Sequence, residues 1–116
     1  MNIKSNITKK PWGYEQIIEH NNKYMVKKLF MKKGNRCSLQ YHNYKIETIY
    51  ILEGKLKIYF GSINNLKYKV FNKDDFITLN KKIVHRMAAL TNCYYLESST
   101  PHLKDVIRIS DDYNRK

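Results

Sequence analysis

Gly34-Asn35-Arg36-Cys37-Ser38-Leu39-Gln40-Tyr41-His42-Asn43-Tyr44-Lys45-Ile46-Glu47, continuing Thr48-Ile49-Tyr50-Ile51-Leu52-Glu53-Gly54, is the stretch that decides the fold. Gln40 and His42 are two positions apart, so on a strand they share a face. Asn43-Tyr44-Lys45 is a polar turn, and Glu47 opens a second, apolar strand. Gly54 ends that strand where the chain must turn tightly. Two adjacent antiparallel strands would thus offer an amide oxygen, an imidazole and a carboxylate to one point. Such a mixed nitrogen and oxygen set suits a divalent metal such as Zn, Mn, Fe or Ni.

Working outward, the same short-strand pattern repeats. Trp12 to Glu19 is a strand whose start Gly13 breaks, and His20-Asn21-Asn22-Lys23 is a turn. Tyr24 to Met31 carries apolar residues on both faces, with Lys27 and Lys28 as exceptions. Leu56, Ile58 and Phe60 alternate with Lys55, Lys57 and Tyr59. Gly61 and Asn64-Asn65 mark a hairpin into Leu66 to Phe71. Phe76 to Leu79, Ile83 to Ala89, Cys93 to Glu97 and Val106 to Ile109 complete the series. No segment sustains a helical apolar period. The pattern predicts an all-β barrel or sandwich, with a core including Ile51, Leu56, Ile58, Phe60 and Phe76.

Composition narrows the function classes. The 116 residues suffice for one domain, expected over 10–116 behind a flexible, polar arm at 1–9. No apolar run is long enough for a membrane span, and the first residues lack a secretory apolar stretch. A cytoplasmic setting with Cys37 and Cys93 as free thiols is expected. The net charge of +12 is spread in pairs such as Lys9-Lys10 and Lys81-Lys82, beside abundant Asn, Ile and ten Tyr. That distribution points to a compositional bias and to no specific nucleic-acid partner. It also favours small anionic substrates.

The spacing Gly34-x5-Gln40-x-His42-x4-Glu47-x6-Gly54 resembles the first motif of the cupins, and Gln at position 40 resembles the phosphomannose isomerases among them. Lys10-Pro11-Trp12-Gly13-Tyr14-Glu15 is similar to the opening of the type II isomerase cupin domain. Asp105-Val106-Ile107-Arg108, with Asp111-Asp112-Tyr113-Asn114-Arg115, is similar to its close. The resemblance implies a double-stranded β-helix, or jelly roll. It implies a metal held by Gln40, His42, Glu47 and His85, with zinc the first choice and Mn, Fe or Ni the others. Gln40 has a second role open to it, holding a metal-bound water.

The second family motif is largely lost here. Its Gly, Pro and Gly positions fall at Asp74, Asn80 and Lys82, so a different turn shape is expected before His85. A family Trp position is Ile49. Lys45 and Arg86 occupy the basic positions assigned to catalysis, although strict alternation points Arg86 away from the interior. Lys45 is either a solvated turn residue or, if desolvated beside a metal, a base with a lowered pKa.

The resemblance implies interconversion of mannose 6-phosphate and fructose 6-phosphate through a metal-stabilised enediolate. The alternatives are a sugar-binding module acting with a separate nucleotidyltransferase and another small cupin enzyme. At this length no nucleotide-binding domain is expected, and the sequence shows no Gly-rich phosphate loop. Outward tyrosines such as Tyr50 and Tyr59 predict a homodimer.

Overall fold

In the computed structural model, which describes residues 6–115, eleven strands form two antiparallel sheets. They are β1 (Asn6–Lys10), β2 (Gly13–His20), β3 (Met25–Met31), β4 (Leu39–Tyr41), β5 (Glu47–Glu53), β6 (Leu56–Ser62), β7 (Asn65–Phe71), β8 (Phe76–Leu79), β9 (Val84–Ala89), β10 (Cys93–Ser99) and β11 (Ile107–Ser110). One sheet runs β1-β2-β3-β10-β5-β8 and the other β11-β4-β9-β6-β7. The repeated crossing between sheets is the jelly-roll arrangement of a cupin. Among the described residues no helix is long and apolar enough to cross a membrane.

Alternation builds the core. Glu47, Ile49 and Ile51 of β5 point inward with Leu56 and Ile58 of β6, and all five are almost wholly buried. Each of the four aliphatic side chains contributes about 1.5–3 kcal/mol by leaving water. Met25, Met31, Cys93 and Tyr95 complete the same interior. Ile49, the position where the family often has Trp, lies in this apolar core. Phe76 does not join it. It is 66% exposed, because register pairs it with outward-facing Tyr50, on which its ring stacks.

Three local expectations change. Of the arm expected over 1–9, residues 1–5 lie outside the described residues. From Asn6 onward the chain is strand, paired with β2 from Asn6↔Ile17 to Lys10↔Gly13. Main-chain pairing outweighs the polar composition there. Gly13 belongs to the ladder and does not break it: a Cβ there would lie 1.9 Å from the Phe30 carbonyl oxygen, so the close strand approach requires glycine. Gly54 does form the expected turn, with φ of 91°. Finally, β4 and β5 are not neighbours. The segment between them is a corner that carries the chain from one sheet to the other.

Two of the three replaced motif positions before His85 have a backbone that bears on the turn there. Asp74 and Lys82 hold φ of 72° and 66°, the left-handed conformation that glycine favours. Both residues hold it without being glycine. Tyr50 donates to the Asp74 carboxylate at 2.8 Å, and Lys82 N–H donates to the His42 carbonyl at 2.6 Å, which holds both turns.

Candidate metal centre

His42, Glu47 and His85 converge from three places in the chain. His42 follows β4, Glu47 opens β5 in the opposite sheet, and His85 lies on β9. Gln40 is the register partner of His85, so both point to the same side of their sheet. One ligand atom from each of His42, Glu47 and His85 lies within 4.8 Å of the others, and all three residues are buried. Glu47 Oε1 is 3.4 Å from His42 Nε2 and 3.1 Å from His85 Nε2.

The remaining ring nitrogens fix the chemistry. His42 Nδ1–H donates to the main-chain carbonyl of Asp105, and His85 Nδ1–H donates to that of Ile83 at 2.9 Å. A carbonyl only accepts, so each Nδ1 carries a proton, and either ring in its neutral form turns its Nε2 lone pair inward. Both Nε2 atoms and both Glu47 oxygens lack a directed hydrogen bond despite their short separations. Buried acceptors without donors are costly. A cation among them satisfies all three residues, so the donor set fits a divalent metal. Outer carbonyls that orient imidazoles in this way are a regular feature of metal sites.

Charge around the trio is unevenly distributed. Burial alone would raise the Glu47 carboxyl, but His42, His85 and Lys45 outweigh it and hold it well below the usual carboxylate range. Lys45 Nζ donates to Glu97 Oε1 at 2.7 Å and lies 3.4 Å from Glu47 Oε2. Burial would lower Lys45; Glu97 and Glu47 together raise it well above the ordinary lysine value. Lys45 is therefore neither a solvated turn residue nor a lowered-pKa base in the metal-free protein, but a buried cation. Burial and repulsion from Glu47 raise the Glu97 carboxyl, against Lys45 and Lys27.

A cavity of about 90 Å³ opens beside the trio, lined by Gln40, His42, Lys45 and Glu97, with Trp12, Tyr95 and Leu103 as apolar walls. Lys10, Arg108 and Arg115 add cations to its lining, and Glu15 a second carboxylate. Gln40 Oε1 accepts from the Ser38 hydroxyl at 2.6 Å. Arg86 is not in this lining. It faces away, donating to the Cys37 carbonyl at 2.8 Å and reaching Asp112 at 3.4 Å, so it fastens the strands and the closing turn. Alternation from inward His85 dictates this.

Glu97, Glu15 and Lys27 were missed in the sequence. The available signal was parity: Cys93, Tyr95, Glu97 and Ser99 face inward on β10, as do Met25, Lys27, Leu29 and Met31 on β3. A charge on an otherwise apolar face marks a group that must be paired.

The sequence family described as mannose-6-phosphate isomerase C-terminal matches residues 2–95. Mannose-1-phosphate guanylyltransferase 2 of Escherichia coli O157:H7 is 29% identical over 89 residues, covering 77% of this chain and 16% of that protein. Mannose-1-phosphate guanylyltransferase of Escherichia coli strain K12 is 26% identical over 114 residues, covering 91% of this chain and 22% of that protein. The capsular polysaccharide assembling protein CapF from Staphylococcus aureus superposes with a TM-score of 0.81 at 15% identity, over 94% of this chain and 32% of that one. At that identity the likeness shows the fold alone.

Proposed function

The chain belongs to the mannose-6-phosphate isomerase C-terminal family, and from that premise we propose that it is a metal-dependent sugar-phosphate isomerase acting on mannose 6-phosphate and fructose 6-phosphate. The observation that carries the metal half is the convergence of His42, Glu47 and His85 with four unsatisfied acceptor atoms. His42, Glu47 and His85 hold the ion, with Gln40 as a fourth, weaker ligand or the holder of its water. Zinc is our first choice, with Mn, Fe or Ni the alternatives. When bound, the ion polarises carbonyl and hydroxyl oxygens and stabilises enediolate charge.

The protein's own groups supply the rest. Isomerisation moves a proton between adjacent carbons, which needs a base at the cavity. Glu97 lines the cavity, is buried, and is tied to the trio through Lys45 without belonging to it. It is the proton acceptor in this reading. Lys45, held as a cation, orients Glu97 and offers positive charge to a substrate oxygen. Lys10, Arg108 and Arg115 attract the phosphate. Trp12 and Tyr95 restrict water at the reacting end.

A second reading follows from the two guanylyltransferase relatives, whose length this chain spans only in small part. In it, the same cavity binds a phosphorylated sugar without converting it and serves a nucleotidyltransferase. Turnover of mannose 6-phosphate in a coupled assay, with zinc or manganese added, separates the two. Metal-dependent turnover lost in Glu97→Gln supports the isomerase. Saturable binding of the sugar phosphate with no turnover under any of these metals supports the binding module. A homodimer through the outer face carrying Tyr50 and Phe76 belongs to either reading, and a sedimenting species of ~14 kDa alone at micromolar concentration would remove it.

A further inference from the structure

Asp105 lies between β10 and β11, outside both motif strands and outside the converging trio. Its main-chain carbonyl accepts the Nδ1–H of His42. Its carboxylate accepts three consecutive main-chain N–H groups: Asn43 at 3.1 Å through Oδ1, and Tyr44 at 2.7 Å and Lys45 at 2.9 Å through Oδ2. Those three residues form most of the corner between His42 and Glu47. A single distant residue thus grips the His42 ring and the corner that delivers Glu47 to the opposite sheet.

Successive N–H groups converging on one carboxylate form an anion nest. The donated hydrogen bonds overcome burial and hold the Asp105 carboxyl below its usual range. The remaining ties on this corner are fewer. Lys82 N–H reaches the His42 carbonyl, and Thr100 bonds Ile46 through its hydroxyl at 3.1 Å and its main chain at 3.0 Å. None of them holds the main chain of Asn43, Tyr44 or Lys45, whose other contacts run through side chains: Lys45 Nζ with Glu97 at 2.7 Å and the Tyr44 ring beside His102. A histidine ring free to change tautomer spends part of its time with a proton on Nε2, where it cannot ligate. Fixing the ring therefore matters to metal affinity as well as to shape.

We propose that Asp105 is the positioning residue of the metal site, setting the His42 tautomer and the approach of Glu47 by clamping the corner between them. This rests on the metal reading of the trio. Any substitution at 105 keeps a main-chain carbonyl, so the side chain acts by holding that carbonyl and the corner in place.

The test compares wild type with Asp105→Ala and Asp105→Asn, using Asp75→Ala as control. Asp75 makes a similar turn bond, accepting Asn72 N–H at 2.7 Å, in a turn that supplies none of the site residues. Two readouts are taken: the His42 tautomer by long-range nitrogen–proton NMR on metal-free protein at mildly alkaline pH, and Co²⁺ affinity by absorption. Asp105→Ala should mix the tautomers and weaken Co²⁺ binding about 10–100-fold, the range for outer partners of metal ligands. Asp105→Asn, keeping one acceptor oxygen, should fall between, and serves as the test if the alanine variant does not fold. Asp75→Ala should change neither readout. A single Nδ1–H tautomer in the variant, with Co²⁺ affinity within about twofold of wild type, would overturn the proposal. Should wild type itself not bind Co²⁺, the metal reading fails, and the tautomer measurement alone decides whether Asp105 positions His42.

Discussion

Two groups of buried charge share the interior of this barrel, and they are finished differently. Glu15, Lys27, Lys45 and Glu97 set opposite signs together, Lys27 at 3.4 Å from Glu15 and Lys45 at 2.7 Å from Glu97. His42, Glu47 and His85 instead turn both Nε2 atoms and the Glu47 oxygens toward one another without a directed hydrogen bond, with Lys45 no nearer than 3.4 Å on one side. Both groups are costly to bury, so burial of charge does not by itself mark a site. The mark is incompleteness. One cluster closes its own electrostatics, and the other closes only with a ligand.

The contrast breaks most visibly at Lys45, which belongs to the complete cluster and touches the incomplete one. Lys45→Met leaves the buried Glu97 carboxylate without its partner, and should cost about 3–5 kcal/mol in chemical denaturation. A loss near zero would mean that the cluster is not closed by its own ion pairs. Next in size is the gain from metal. At a free concentration of about 100 times Kd, zinc should stabilise wild type by about 2.7 kcal/mol. His42→Ala and Glu47→Ala should abolish that gain while the metal-free variants stay folded, because Ile49, Ile51, Leu56, Ile58 and their neighbours form an apolar core of their own. Retention of the full gain in either variant would sever the trio from the metal.

pH sharpens the same comparison. The His85 pKa stands above its ordinary 6.5: burial opposes this, but Glu47 and the Ile83 carbonyl prevail. In metal-free protein its contribution is present in full below the unfolded value and is lost as pH rises through the raised folded value. With metal bound the trend reverses, since acid protonates the imidazoles and displaces the ion. Denaturation curves across this range should therefore slope oppositely for metal-free and zinc-loaded protein, and parallel slopes would count against a shared site. The smallest effect is at Lys82. Its positive φ costs about 1–2 kcal/mol, partly offset because glycine loosens the unfolded chain. Lys82→Gly should therefore raise stability by less than about 1 kcal/mol, read as a small rise in Tm.

Much of this was legible in the chain. Strand parity was enough to put Ile58 inside and Tyr50 outside, and the Gly34–Gly54 spacing brought out His42 and Glu47. His85 became legible only beside the cupin pattern, since a single histidine on a strand carries no signal of its own. Parity also gave Arg86 its true direction, away from the cavity. What could not be read were features made by pairing between distant strands. Glu97 gains its importance from Lys45, 52 positions away. The corner at 43–46 looks like a hairpin turn until the sheet partners of β4 and β5 are known. Phe76 looks like core until its register with Tyr50 is fixed. The left-handed turn at Lys82 is hidden because lysine gives no sign of the conformation.

The packing of Cys37 has a kinetic consequence. Its sulfur accepts the Met87 N–H at 3.3 Å inside the core, and burial pushes its pKa up to about 11 against the lowering effect of that bond and of Arg86. In the closed barrel it is a protonated thiol, buried to 7% exposure in the wall of the cavity beside the trio. Its labelling rate is then a clock for how often the barrel opens around that cavity. A ligand that joins Glu47 of one sheet to the histidines of the other should slow that clock, at a residue that is not itself a ligand.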